Sequence, residues 1–155
     1  MTPRKELFIK VKKALMPISE LELVDLQRNQ MSSDRFAYLF VSALISVNAI
    51  QWQSMTEQNQ EGTATVLIDL YCRDGWRNQH QHTEDGEEGL MEIDLIDRIA
   101  EAVQFLRGEQ FRTLTLESDE VISNTMDGMF QYRLTFSCNL YRKLKPLYNN
   151  QKITL

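Results

Sequence analysis

The sequence predicts an α+β fold: a mainly antiparallel sheet with two helices packed on one of its faces. Three observations carry that expectation. From Phe130 to Leu140, apolar Phe130, Tyr132, Leu134, Phe136, Cys138 and Leu140 alternate with polar Gln131, Arg133, Thr135, Ser137 and Asn139. Side chains on a strand point to opposite faces in turn, so this is one half-buried strand, roughly 34 Å long. From Met91 to Arg107, Leu95, Ile96, Ile99, Ala102, Val103 and Leu106 instead recur at helical spacing. Finally, the elements run in the order α-β-β-β-α-β-β. Strands gathered together, rather than alternating with helices, favour α+β over a parallel α/β sheet.

Along the chain, Thr2 and Pro3 suit the N-cap and first position of a helix. Leu7, Phe8, Val11, Ala14 and Leu15 form its apolar stripe, Lys5, Lys10, Lys12 and Lys13 its solvated face, and Pro17 closes it. Leu21 to Gln27 reads as a first strand, with a slip in phase that implies a bulge or burial on both faces. Phe36–Val41 and Ala43–Gln53 are apolar runs, the second ending in strand-like alternation at Ile50 and Trp52. Thr63–Arg73 is another strand, with Ala64, Val66, Ile68, Leu70 and Cys72 on one face. Leu67 and Tyr71 interrupt its polar face, which implies contact there with another element or subunit. Ser54–Gly62 joins it to the strand around Trp52 as an antiparallel hairpin.

Asp74–Gly89 is a long polar loop, and loops of this length in compact domains are usually functional or disordered. Trp76 within it either folds back on the body or anchors a partner. The following helix, Met91–Arg107, has Glu87, Glu88 and Glu92 at its N-terminal end and closes with Arg107 and a C′ glycine, Gly108. Phe111–Glu117 is a strand, Ser118–Gly128 a connection, and the long strand follows. Residues 1–142 read as one α+β domain, and 143–155 as a C-terminal tail, extended or docked on a neighbour.

Composition narrows the function classes. The 155 residues are 43% hydrophobic and 25% charged, as in an ordinary globular chain, and no apolar run reaches the ~18 residues of a membrane span. A net charge of −5 argues against direct nucleic-acid recognition through phosphate neutralisation, despite local basic clusters at Lys10/Lys12/Lys13 and Arg142/Lys143/Lys145. The N-terminal sequence leads into an amphipathic pattern rather than a signal-peptide core, so the expected site of synthesis is the cytoplasm. Cys72 and Cys138 each fall on an apolar strand face and are expected to be buried free thiols.

Catalytic chemistry finds little support. His80 and His82, followed by Glu84, Asp85, Glu87 and Glu88, could converge on a metal ion, but no apolar neighbours would hold those ligands rigid. A solvated polar loop is the preferred reading, with no cofactor. The six glycines are scattered at turns and form no phosphate-binding loop.

Several segments, taken in order, resemble a family of small prophage-encoded proteins similar to the tail terminator and head–tail completion proteins of long-tailed phages. They are Phe36–Val41, Ile50–Trp52, Gln60–Val66, Leu95–Ile99, Leu106–Leu114 and Tyr132–Phe136, within roughly Phe36–Arg142. The resemblance implies a structural subunit rather than an enzyme, assembling as a homo-oligomeric ring, commonly a hexamer. Its partners would be tail-tube and head-connector proteins, without a membrane, in the cytoplasm of a bacterial host and then in the virion. Sheet edges or outward faces would pair between neighbours, with loops ordering on contact. Trp76, Leu147 and Tyr148 are the candidate interaction residues. The alternative is a small α+β module that binds a peptide or ligand through an exposed strand edge or the acidic loop.

Overall fold

The computed structural model describes residues 1–36, 39–73, 80, 89–122 and 129–144. Helix α1 (Pro3–Leu15) begins as its sequence predicts: the Thr2 hydroxyl accepts from the Lys5 amide at 3.3 Å, and proline follows the cap. The strands are β1 (Leu23–Leu26), β2 (Val41–Ser54), β3 (Asn59–Arg73), β4 (Thr115–Val121) and β5 (Met129–Lys143), with helix α2 (Met91–Val103) between β3 and β4. They form one sheet in the order β1-β2-β3-β5-β4. Only β1 and β2 are parallel; the other pairs are antiparallel. The α+β class, the element order and the placement of both helices on one face are therefore as the sequence predicts.

The long strand that anchors the prediction is longer still. β5 runs in register with β3 from Met129 opposite Arg73 to Lys143 opposite Asn59. Leu134, Phe136, Cys138 and Leu140 lie on the same face as Ala64, Val66, Ile68 and Leu70 of β3 and Ala43 and Ile45 of β2. Leu7, Val11 and Leu15 of α1 and Leu95, Ile99 and Val103 of α2 close this core from above. Each such side chain, fully buried, is worth roughly 1.5–3 kcal/mol.

The apolar phase slips in β2, where Val47 and Ile50 are three apart yet share the helix-side face. An irregularity in pairing between Val47 and Ala49 absorbs the extra residue. In β1 the slip has the other cause. Val24 packs on the main core and Leu23 on a smaller cluster across the sheet, so this edge strand is half-buried on both faces. That second cluster, Met31, Leu44, Tyr71 and Met129, is covered by two short 3-10 turns, Gln30–Ser32 and Asp34–Phe36. Phe36 thus belongs to a turn, and β2, which contains the strand-like alternation at Ile50 and Trp52, starts at Val41.

Three boundaries differ from expectation. The hairpin arms run to Ser54 and resume at Asn59, leaving a shorter turn than Ser54–Gly62. Helix α2 stops at Val103 rather than Arg107. Gln104 turns extended, Phe105 takes a left-handed φ of 67°, and the chain doubles back so that the Phe105 amide donates to the Leu114 carbonyl at 2.9 Å. Gly108 is therefore not a helix cap. A Cβ there would stand 2.2 Å from the Glu6 carboxylate and 2.4 Å from the Phe111 ring, so glycine is required by close approach. The strand expected at Phe111–Glu117 is displaced: Phe111 makes one isolated bridge to Leu140, and the ladder proper covers Thr115–Val121. Of the connection expected at Ser118–Gly128, residues 118–121 are strand.

Candidate interaction surface

Among the described residues three stretches of backbone lack a strand on their outer side: β1 and the neighbouring Val47–Ser54 half of β2 at one end of the sheet, and β4 at the other. β1 pairs with β2 only from Ser42 to Ile45, and the Gln27 amide adds a bond to the Ile45 carbonyl at 2.8 Å. From Val47 to Ser54, β2 pairs with β3 alone among the described residues. Asn48, Ala49, Gln51 and Gln53 are exposed along this stretch, and the strand carries no charged side chain. At the other end β4 pairs with β5 alone among the described residues and is exposed almost throughout. Its sequence holds Glu117, Asp119 and Glu120, the sort of charge that guards an edge strand against pairing with its own kind.

The helix side extends this polarity. Asp97 of α2 lines a shallow cleft with Asp119, Tyr132 and Phe130 beside β4. The Tyr132 hydroxyl donates to the Asp119 carboxylate, and that bond, helped by burial, lifts the tyrosine pKa to about 12. Helix α1 packs against β1 and β2 at the other side, with Lys5, Lys10 and Lys13 exposed. Between the helices, Arg98 bonds Glu20 at 2.9 Å, which draws the Glu20 carboxyl down to about 2.

At the tip of the β2–β3 hairpin, Trp52, Met55, Tyr141 and Leu144 meet the start of α1 around a groove of about 780 Å³. The Arg142 guanidinium lies 3.9 Å from the centre of the Trp52 ring and donates from Nε to Gln60 Oε1 at 2.8 Å. Gly62 gives the indole its place: a Cβ there would be 2.8 Å from Trp52.

The face away from the helices is not simply solvated. Arg133 binds Asp69 through both carboxylate oxygens, at 2.8 and 3.3 Å, and Gln27 donates to Asp69 at 3.1 Å and to the Tyr71 hydroxyl at 2.9 Å. Asp69 is 1% exposed. The bond to Asp69 raises the Arg133 pKa, and burial raises that of Tyr71. No periodicity in the sequence announces this network. Its signal was available in Leu67 and Tyr71, the apolar interruptions that mark part of this face as covered.

Of the sequence-derived candidates, Trp76, Leu147 and Tyr148 lie outside the described residues, as do His82, Glu84, Asp85, Glu87 and Glu88. Among the described residues no three His, Cys, Asp or Glu side chains are grouped to hold a metal ion, and no helix is long and apolar enough to cross a membrane. Cys72 and Cys138 are buried free thiols, and burial pushes their pKa values to about 12 and about 11.

No family model matches the chain, and no curated protein does. A solved structure does, over 91% of this chain and 99% of the other, with a TM-score of 0.58 at 7% identity. The fold is that of a chain in the virion of a native gene transfer agent particle. At this identity the likeness concerns the arrangement of elements alone.

Proposed function

We propose that this protein is a structural subunit of a phage or prophage tail, at or near the head–tail junction, and that it assembles as a ring in the manner of a tail terminator. The observation that carries the reading is the fold match to a virion component over nearly the full length of both chains. The sequence resemblance to tail terminator and head–tail completion proteins points the same way. So do the open sheet edges, which suit a subunit whose work is to bind copies of itself.

In this reading the role is not enzymatic, and the partners are tail-tube and head-connector proteins, met first in the host cytoplasm and then in the virion. The C-terminal tail 143–155 docks on a neighbour through Leu147 and Tyr148, and Trp76 anchors a partner. Light scattering and sedimentation over a concentration series test the proposal. A discrete oligomer of fixed size is expected. A monomer that neither self-associates nor adds to purified tail tubes would refute it.

A second reading has one specific observation in its favour. The groove beside Trp52, Met55 and Tyr141 is apolar with polar groups at its rim, the character of a peptide- or ligand-binding site. Titration with an unstructured peptide library, followed by Trp52 fluorescence, separates the two. Saturable binding by a monomer would favour the binding module.

A further inference from the structure

We infer that copies of this chain join head to tail by sheet extension, the outer side of β4 from one copy pairing with the open Val47–Ser54 half of β2 in the next. The inference rests on the ring reading above and supplies its contact surface.

Charge selects this pairing over its alternatives. Two β4 strands side by side would set Glu117, Asp119 and Glu120 against the same three carboxylates, and like charges directly opposite are destabilising. Two β2 strands side by side would bring two copies of α1 together. At about 100° per residue, Lys5 and Lys12 flank the buried Leu7–Val11–Leu15 stripe on the side opposite Glu6. Glu6 itself points toward Gly108 and Glu109, in from the edge. Lys5 and Lys12 of the two copies would then repel. Against β1, β4 would meet only four residues and a like charge, Asp25, whereas the open half of β2 sets the acidic edge against an uncharged strand with a basic helix beside it.

The faces also agree. Glu120 stands opposite Arg133 in the β4–β5 ladder, so it projects on the sheet face away from the helices. Gln51 stands opposite Thr63, one step from the Ile50–Ala64 pair of the core, and projects on that same face. Joining the edges extends the sheet with helices on one side throughout. With Glu120 set against Gln51, Glu117–Val121 of β4 lies along Ile50–Ser54 of β2. A head-to-tail contact of two different surfaces generates a ring when its rotation closes.

The experiment is a charge exchange read by sedimentation of the full chain. Gln51→Glu, which sets a carboxylate against Glu120, should move the midpoint of assembly to about tenfold higher concentration or more, with circular dichroism unchanged, whereas Glu120→Lys, facing the neutral Gln51, should move it little. Mixed in equal amounts, the two variants should assemble at the wild-type midpoint. Each β4 of the Glu120→Lys chain would then meet a β2 of the Gln51→Glu chain, an ammonium facing a carboxylate, and the remaining contacts would be native. Wild-type assembly of the Gln51→Glu variant, or a mixture that fails to recover, would overturn the edge assignment while leaving the ring reading intact. A wild-type chain that never assembles would overturn both. Loss of assembly on removing residues 145–155, with neither charge variant having an effect, would give the contact to the C-terminal tail instead.

Discussion

Arg133 on β5 grips Asp69 on β3 through both carboxylate oxygens, with Nε and Oδ1 2.8 Å apart, on the sheet face turned away from the helices. Removing one partner of a buried pair strands the other charge, so Asp69→Ala should cost about 3 kcal/mol in urea denaturation. That is the low end for buried pairs, because the Arg133 side chain is 31% exposed and can turn to water. Asp69→Asn, which keeps an acceptor for Gln27, should cost less than Asp69→Ala. Equal losses would mean that the network with Gln27 contributes nothing.

Gly108 and Glu6 form a second tight relationship. The Glu6 carboxylate accepts from the Glu109 amide at 2.6 Å and from Gln110 Nε2 at 2.7 Å, tying α1 to the turn before β4. Gly108→Ala should destabilise by about 1–3 kcal/mol through overpacking. Glu6→Ala should cost a similar ~1–3 kcal/mol by leaving the Glu109 amide unpaired. Because both act at one contact, the double variant should lose less than the sum, a non-additivity that thermal denaturation can measure.

Thiol chemistry offers a third check. With pKa values near 12 and 11, Cys72 and Cys138 are almost wholly protonated at pH 8. Ellman's reagent should leave the native protein essentially unmodified and titrate both thiols promptly in denaturant. Prompt modification without denaturant would place at least one thiol at the surface.

The Glu20–Arg98 pair sets a pH dependence. The folded Glu20 carboxyl titrates near 2, below its ordinary 4.5. Its stabilising contribution is therefore complete above about pH 4.5 and lost as the pH falls toward 2. The effect should be small and screened by salt, since both side chains are more than a third exposed or close to it. Glu20→Gln should remove that part of the acid-limb slope, and an unchanged slope would contradict the pairing.

The periodicities were legible where one cause set them. β3 and β5 alternate because one face meets the helices, and α2 shows its stripe because Leu95, Ile99 and Val103 meet the same core. Boundaries failed where tertiary contacts overrode local preference. Nothing in Gln104-Phe105-Leu106 announces a helix end, because the stop is imposed by pairing with Leu114 and by Gln104 Oε1 accepting from the Leu116 amide at 2.7 Å. A left-handed Phe105 costs roughly 1–2 kcal/mol that no propensity would choose. The surface was less legible than the core. Open edges depend on which strands are neighbours, and the acidic character of β4 acquires meaning only once β4 is known to be an outer strand. Trp76, Leu147 and Tyr148, the interaction residues the sequence suggests, lie outside the described residues, and β2 and β4 join them as candidates only through the sheet order.

Negative-stain electron microscopy of the concentrated protein tests the central claim most directly. Closed rings of uniform diameter with an open centre, few of them in Gln51→Glu preparations, are the predicted result. Fields of isolated monomers at every concentration, with and without tail tubes, would contradict it.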